Sequence, residues 1–454
     1  MKIRNTLSGK AINWKEFAPA FVLVINSLIW YTLTYAIFSS TIESFGFPNI
    51  EKFAVYGVYY AGIAISAIIG GLVLPRSRRN GLIIWMALGT ILSIVMATIS
   101  TNSFPVNMLL ATIIGVTIGI GLPSTLAYFA DSTSIEKRGI HGGVTWLAIG
   151  LGSLSIGAII STQQISIGSI GSYVLACWRG IGLILFVLLS RKKYQEKKAS
   201  NEDGFIQILS RREFLLYLAP WIMFSVINFV EAPFQSNVFG SLATLLGFVE
   251  LAISGVMALV GGMLADHVGR KRVVITGFII LGIEYAMLSL TGLFGSYGSM
   301  IGYLYVCLDG TAWGMFASVF FMTVWGDLAG EGTKEKYYVI GGLPYLLAGF
   351  LSILVQPSVP YIMLKTGLGM SFTIASFFLF IAVLPLIYAP ETLPEKILKE
   401  NDLKKYVEKA LEKVQKKPAG KEEKKTSAID KSEDPKDEIN KFDEEARKLA
   451  DKYY

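Results

Sequence analysis

Residues 262–272 read GMLADHVGRKR, and long apolar runs at 241–265 and 273–294 stand on either side of them. Gly262 and Gly269 let the backbone turn sharply and approach its neighbours closely. The three consecutive basic residues, Arg270 to Arg272, favour a position at the cytoplasmic surface of a membrane. The stretch therefore predicts a short loop that joins two membrane-spanning helices.

The same alternation of apolar runs and short polar loops extends over most of the chain. A helix needs about 20 predominantly apolar residues to cross a bilayer. Twelve segments meet this requirement, and they lie at 17–38, 52–74, 81–101, 104–130, 142–164, 171–190, 214–235, 241–265, 273–294, 298–326, 337–362 and 370–389. The hydrophobic share of 53% agrees with this assignment, because soluble domains rarely reach it over 454 residues. We therefore predict an all-α polytopic membrane protein.

Lysine and arginine are distributed unequally between the two sets of loops. One set, which includes both termini, holds 21 of these residues before the tail is counted, and the other set holds only Lys52 and Lys365. Loops rich in lysine and arginine stay in the cytoplasm, so both termini are predicted to be cytoplasmic and the plasma membrane is the expected location. Because the net charge of +7 comes from these loops, it is a topology signal and does not indicate nucleic-acid binding.

The chain also repeats itself. Residues 67–75 read AIIGGLVLP and residues 258–266 read ALVGGMLAD, and a second echo relates Asp131 to Asp327. Two parallel repeats imply two pseudo-symmetric six-helix bundles with a substrate site at their interface. The predicted divisions are an N-terminal bundle, a cytoplasmic linker, a C-terminal bundle and a charged cytoplasmic tail, at 1–190, 191–213, 214–392 and 393–454.

The loop at 262–272 resembles the signature of the major facilitator superfamily, Gly-x-Leu-Ala-Asp-x-x-Gly-Arg-Lys, which joins the second and third helix of a half. Gly262, Asp266, Gly269, Arg270 and Lys271 are the matching positions. Weaker similarities, with features of sugar porters among them, lie at three further places: Gly119–Gly139, Trp178-Arg179 and Pro390-Glu391-Thr392.

The resemblance implies a gate at this loop. Asp266 would contact the N-terminus of the fifth helix near Gly142, where the helix dipole favours an anion, and the contact would stabilise the outward-facing state. The corresponding loop of the first half departs from the pattern, because Pro75 stands where the family has aspartate. A gate contact that depends on an acid at that position is therefore not expected in the first half.

Candidate binding groups follow from the family's geometry, in which the first, fourth, seventh and tenth helices line the central cavity. Polar and aromatic residues on these helices are therefore expected at the site. Those predicted on the seventh helix share one face. The main candidates on the first, seventh and tenth helices are Asn26, Trp30, Tyr31, Trp221, Asn228, Glu231, Gln235, Asp309 and Trp313. Packing of the aromatic residues is the alternative.

Ionisable residues inside a membrane are functional candidates. Four acids fall within spans, namely Glu231, Glu250, Glu284 and Asp309; of these, Glu284 is expected to be structural because the ninth helix is peripheral in the family. The one basic residue in a span, Arg179, is placed near the outer end of the sixth helix. Without a cationic clamp at mid-membrane, a neutral polar or cationic solute is expected rather than an anion.

The sequence thus predicts a proton-coupled secondary transporter that binds a small molecule and works as a monomer in the lipid bilayer. The alternative is a solute-sensing receptor of the same fold that signals through the tail. An enzyme is not expected, because the spans contain no nucleophile–base set. No cofactor or metal is expected either, since the two cysteines and two histidines lack the spacing of a metal site.

Overall fold

The computed structural model describes residues 14–99, 102–161, 170–190, 203–240, 243–290, 298–330 and 334–394, together with Lys399 and Leu403. The predicted linker falls outside the described residues up to 202, and so does nearly all of the predicted tail. Within the described ranges the regular structure is helical throughout. This is the outcome expected in a bilayer, where a helix satisfies its own backbone hydrogen bonds.

The first six long helices form the first half. They are α1 (Trp14–Ser44), α2 (Asn49–Val73), α3 (Arg78–Thr98), α4 (Phe104–Asp131), α5 (Arg138–Ser161) and α6 (Ile170–Leu189). Only a 3₁₀ turn, Leu74–Ser77, separates α2 from α3. The stretch Asn49–Thr98 is 50 residues long and therefore contains two crossings, because a single crossing takes about 20 residues.

A short helix, Phe205–Ser210, precedes the second half. The next helices are α7 (Arg212–Phe239), α8 (Ala243–Val268) and α9 (Arg270–Ser289). Helix α10 runs as Gly298–Phe316, a π-helical segment Ala317–Val324 and Trp325–Ala329, and α11 covers Lys334–Val355. The chain then continues through Val359–Thr366, and α12 consists of Leu368–Ile381 and Val383–Tyr388. All twelve predicted spans are therefore found as helices.

Within each half the helices pack in the same order. In the first half α2 packs on α4, and α6 packs on α1 and α3; in the second half α8 packs on α10, and α12 packs on α9. The main contacts between the halves are those of α5 with α8 and of α2 with α11. The outer surface is apolar, as lipid contact requires, with exposed side chains such as Leu188 and Phe377.

The stripes of small residues on α2 and α8 have different neighbours. A side chain at Gly62 or Gly70 would meet the backbone of α4 within the same half. On α8, by contrast, Ala258 and Gly262 lie against the backbone of α5 in the other half. Small residues allow close helix approach in both places, but only the α8 stripe lies at the contact between the halves.

Candidate functional site

The loops 74–77 and 132–137 and residue Gly269 lie at one end of the bundle, called here the basic end. At this end Asp266 of α8 accepts hydrogen bonds from the backbone N–H groups of Gly139 (2.9 Å) and Ile140 (2.8 Å), at the start of α5. This is the contact that the family resemblance implied, two to three residues before Gly142. Gly262 fits against the backbone of Gly139, where a side chain would clash.

A buried network of charges surrounds this contact. Asp327, at the end of α10, accepts hydrogen bonds from Arg138 of the first half and from Arg270 Nε at 3.1 Å. Arg270 also lies 3.0 Å from Asp266. The side chains of Arg270 and Asp327 are fully buried. Buried charges are stable only when they are paired, so this network strongly favours the arrangement in which Arg138 and Asp327 meet.

Helix α9 begins at the same network. Gly269 has a φ of 105°, a conformation that favours glycine. Glu391 accepts hydrogen bonds from the backbone N–H groups of Arg270 (2.8 Å) and Lys271 (3.2 Å), and so caps the start of α9. Lys271 Nζ donates to the carbonyl oxygen of Ile387. The signature residues therefore fix the loop, and both Asp266 and Arg270, which donates to the carbonyl oxygen of Ile135, reach the other half.

A second network joins the halves next to Pro75. Arg78 lies 2.5 Å from both Asp131 and Glu335, and Lys334 also pairs with Asp131. Since Glu335 and Lys334 begin α11, two of these pairs cross between the halves. The sequence predicted no acid-dependent contact at this loop because Pro75 replaces aspartate. The acids come instead from α4 and α11, which a search of the loop alone could not reveal.

Three intramembrane carboxyl groups come together in the second half. Asp309 of α10 lies within hydrogen-bonding reach of Glu250 on α8 and Glu284 on α9. Tyr305 donates a hydrogen bond to Asp309 Oδ2 at 3.2 Å. Apart from the neighbouring Asp309, neither oxygen of Glu284 has a hydrogen-bond partner among the described residues, and its side chain is fully buried. The sequence identified Glu284 as an intramembrane acid, but placed it on a peripheral helix and did not group it with Asp309.

The polar stripe predicted on α7 divides among several neighbours. Trp221 Nε1 donates to the carbonyl oxygen of Gly341 on α11, at 2.7 Å. Glu231 lies beside Ser371 of α12. Gln235 donates to Tyr285 and accepts from Tyr305, which connects it to the carboxyl cluster. Asn228 is half-buried on the same helix.

The candidates on α1 also separate. Trp30 Nε1 donates to Ser93 of α3, and Asn26 donates to the carbonyl oxygen of Trp178 on α6, so both lie inside the first half. Tyr31 is half-buried and lies near Tyr345 of α11, close enough for their hydroxyl groups to interact electrostatically. Trp313 of α10 packs edge-on against Tyr345, with ring centroids 5.6 Å apart. Tyr31 and Trp313 are therefore close to one aromatic group, whereas Asn26 and Trp30 are not.

Arg179 lies midway along α6 and not near the outer end that the sequence predicted. It is fully buried between two indole rings, with its guanidinium carbon 4.7 Å from the Trp30 ring centroid and 4.3 Å from that of Trp85. It also donates to Asn26 Oδ1 at 2.8 Å and to Ser27 at 2.9 Å. Such stacking stabilises a cation away from water, so Arg179 belongs to the packing of the first half.

No group of three or more histidine, cysteine, aspartate or glutamate residues has the geometry of a metal site in the part of the chain that the structure describes. The described residues instead form two clusters of ionisable side chains. One consists of the ion pairs at the basic end, and the other of the carboxyl groups between α8, α9 and α10. The first joins the two halves at that end. The second can bind a proton or a cation.

The family model described as Major Facilitator Superfamily matches residues 20–338. The chain therefore belongs to the major facilitator superfamily, and it is a multi-pass membrane transporter. No curated protein sequence matches it.

Two solved structures share the fold. The proton:xylose symporter XylE, bound to 6-bromo-6-deoxy-D-glucose, has 17% sequence identity and a TM-score of 0.62, and the match covers 83% of this chain and 96% of XylE. The human organic anion transporter MFSD10 (TETRAN) has 15% identity and a TM-score of 0.62, with 83% of this chain and 100% of that one covered. Identities this low establish the common fold alone.

Proposed function

We propose that the protein is a proton-coupled secondary transporter that moves a small neutral polar or cationic solute by alternating access. The observation that carries the proposal is the group of Glu250, Glu284 and Asp309 on three neighbouring helices of the second half. A receptor that signals through the tail has no comparable observation in its favour.

The chemistry of the group supports proton binding. Carboxylates in contact repel one another, so they share protons instead of all being ionised. No lysine or arginine is paired with them among the described residues. Glu250 is half-buried, while Asp309 is 5% exposed and Glu284 is 0% exposed. Glu250 is therefore the member through which water or a cation would reach the other two.

The ion pairs at the basic end support alternating access. They hold the two halves together at that end, and their loss would let the halves separate there. We propose that this end faces the cytoplasm, with both termini on that side of the plasma membrane, and that Asp266 acts in the gate. We further propose that a single chain is sufficient, because both networks between the halves and the carboxyl group are built within it.

The test compares two carboxyl groups in proteoliposomes, with a solute first identified by thermal-shift screening of sugars, amino acids and cations. Asp309→Asn keeps the shape of the side chain but cannot release a proton. The variant should therefore still exchange the solute across the membrane and should fail to accumulate it in a pH gradient. Glu231→Gln is the matched control, since Glu231 lies against α12, and it should still accumulate the solute.

Each alternative result has a definite meaning. Full accumulation by Asp309→Asn, with the parent's dependence on pH, would refute coupling through this residue. Loss of accumulation in Glu231→Gln alone would transfer the coupling role to α7. Loss of both exchange and accumulation in Asp309→Asn would show that Asp309 binds the solute directly.

A further inference from the structure

Aromatic rings from two helices of the second half, α7 and α10, surround Tyr345 of α11. The ring centroids of Phe321, Trp313 and Trp221 lie 4.9, 5.6 and 5.8 Å from that of Tyr345. Trp146 of α5, in the other half, stacks on Phe321 at 5.4 Å. These five side chains are called here the Tyr345 cage. They come from both halves, which is where the family fold places its substrate.

The cage presents mainly ring faces, because the indole N–H groups of two of its members are already bonded. Trp221 Nε1 is bonded to the carbonyl oxygen of Gly341, and Trp146 Nε1 is bonded to Ser254 Oγ. Because these indole N–H groups are already satisfied, what the two indoles can offer a solute is mainly π surface. Trp146, Trp313, Phe321 and Tyr345 are only half-buried, so part of each ring remains accessible.

The cluster of three carboxyl side chains, Glu250, Glu284 and Asp309, is adjacent to this aromatic surface. Trp313 of the cage lies one helical turn from Asp309 on α10. Asp309 lies within hydrogen-bonding reach of Glu250, which is also near enough to Tyr345 to interact with it electrostatically. Glu284 has two buried oxygens with no partner other than Asp309 among the described residues. Arg179, the buried cation that could change this balance, is enclosed by Trp30 and Trp85 in the other half. The environment of the cage is therefore both aromatic and acidic.

We propose that the transported solute is a lipophilic organic cation, held between the rings of the Tyr345 cage and the carboxyl group of Glu250. Aromatic faces attract ammonium and other onium groups, and a neighbouring carboxylate adds to this attraction. A sugar would need a larger set of free hydrogen-bonding groups than the Tyr345 hydroxyl and the Trp313 indole N–H that the cage offers. An inorganic or organic anion would face repulsion from Glu250 without a cationic partner.

This inference rests on the proposed transport function and adds a consequence to it. The cation and the proton compete for the carboxylate of Glu250, since Glu250 cannot be protonated while it neutralises the bound cation. Binding of the cation therefore releases a proton, and protonation releases the cation. Because one positive charge replaces the other at Glu250, the site favours exchange of the cation for a proton.

The test measures binding to the purified full-length chain by isothermal titration calorimetry. Tetraphenylphosphonium is the cationic probe, triphenylphosphine oxide the uncharged one and tetraphenylborate the anionic one. Tetraphenylphosphonium should bind tightest, and its affinity should fall as the pH is lowered. Tyr345→Leu should weaken its binding about tenfold, as expected for loss of one cation–π contact. Tyr345→Phe keeps the ring and should bind like the parent.

Two controls separate this result from general damage to the protein. Phe377→Leu removes a ring that is 61% exposed on α12, outside the cage, and should leave binding unchanged. Glu250→Gln should weaken binding of tetraphenylphosphonium and remove its pH dependence. Equal binding of the cationic and uncharged probes, or equal binding by Tyr345→Leu and the parent, would overturn the proposal.

The cation site and the proposed transport function can fail independently of each other. Asp309-dependent accumulation of an uncharged solute would leave proton coupling intact and contradict the cation site. Tight, pH-dependent binding of tetraphenylphosphonium without any transport in a pH gradient would support the cation site and contradict coupled transport.

Discussion

Substitution of Asp266 tests the contact that closes the basic end. Asp266 accepts two backbone N–H groups of α5, and these bonds cross from one half to the other, whereas its ion pair with Arg270 stays within the second half. In Asp266→Asn the amide oxygen can still accept one N–H, but the amide nitrogen cannot accept the other. A hydrogen bond to a charged group contributes about 1.5–3 kcal/mol, so the open form should gain about 10- to 160-fold in population.

The assay uses a cysteine that closure protects. Met322 is fully buried, and it lies where α10 meets Gly142 of α5. In a background with Cys177 and Cys307 replaced by serine, Met322→Cys should react with a membrane-impermeant maleimide only when the basic end opens. Its reaction rate then reports the open population and should rise with Asp266→Asn by the factor given above.

The control is Glu43→Gln, which makes the same change of charge in an exposed pair with Lys52 inside the first half. It should leave the rate unchanged. A labelling rate in Asp266→Asn equal to that of the parent would show that the two hydrogen bonds do not contribute to closure of the basic end.

Further predictions use the same reporter or a related one. Arg78→Ala leaves the buried Glu335 without its cation, which costs about 3–5 kcal/mol, so the labelling rate of Met322→Cys should rise. The double variant with Glu335→Ala should recover most of the lost stability of the closed form, whereas additive effects would show that the pair is not coupled. Gly143→Leu should also raise the labelling rate, because a Cβ there would lie 2.5 Å from the carbonyl oxygen of Ala258. Gly342→Leu is the control and should leave the rate unchanged, because nothing lies within 4 Å of a Cβ at that position. Equal rates in the two variants would contradict tight α5–α8 packing. Single cysteines at Glu136 and Lys365 should be labelled from the cytoplasm and from outside, respectively; labelling of both from one side would contradict the predicted topology.

The helices and the signature loop could be predicted from the sequence because both depend on local composition. Apolar runs of spanning length form helices wherever they meet a bilayer. The loop at 262–272 combines two glycines, an acid and three basic residues, and its contact with the start of α5 followed from the family resemblance. The alternation of apolar runs and basic loops also determined the order of all twelve helices.

Contacts between distant segments could not be predicted in the same way. Pro75 removed the expected acid from the first-half loop, and Glu335, 257 positions from Arg78, supplies a replacement. Trp30 lies against α3 and not at the interface of the halves, because the rotation of α1 is set by packing around Arg179. The meeting of Glu250, Glu284 and Asp309 depends on the relative rotation of three helices, which spacing within any one of them does not determine.

Alternating access requires that the two ends of the bundle open in turn. It can be tested by double electron–electron resonance on spin-label pairs at Ser77 and Arg272 for the basic end, and at Asn49 and Lys365 for the opposite end. All four side chains are exposed. When the pH is changed or tetraphenylphosphonium is added, one distance should lengthen as the other shortens. Two distances that stay constant, or that lengthen together, would contradict it.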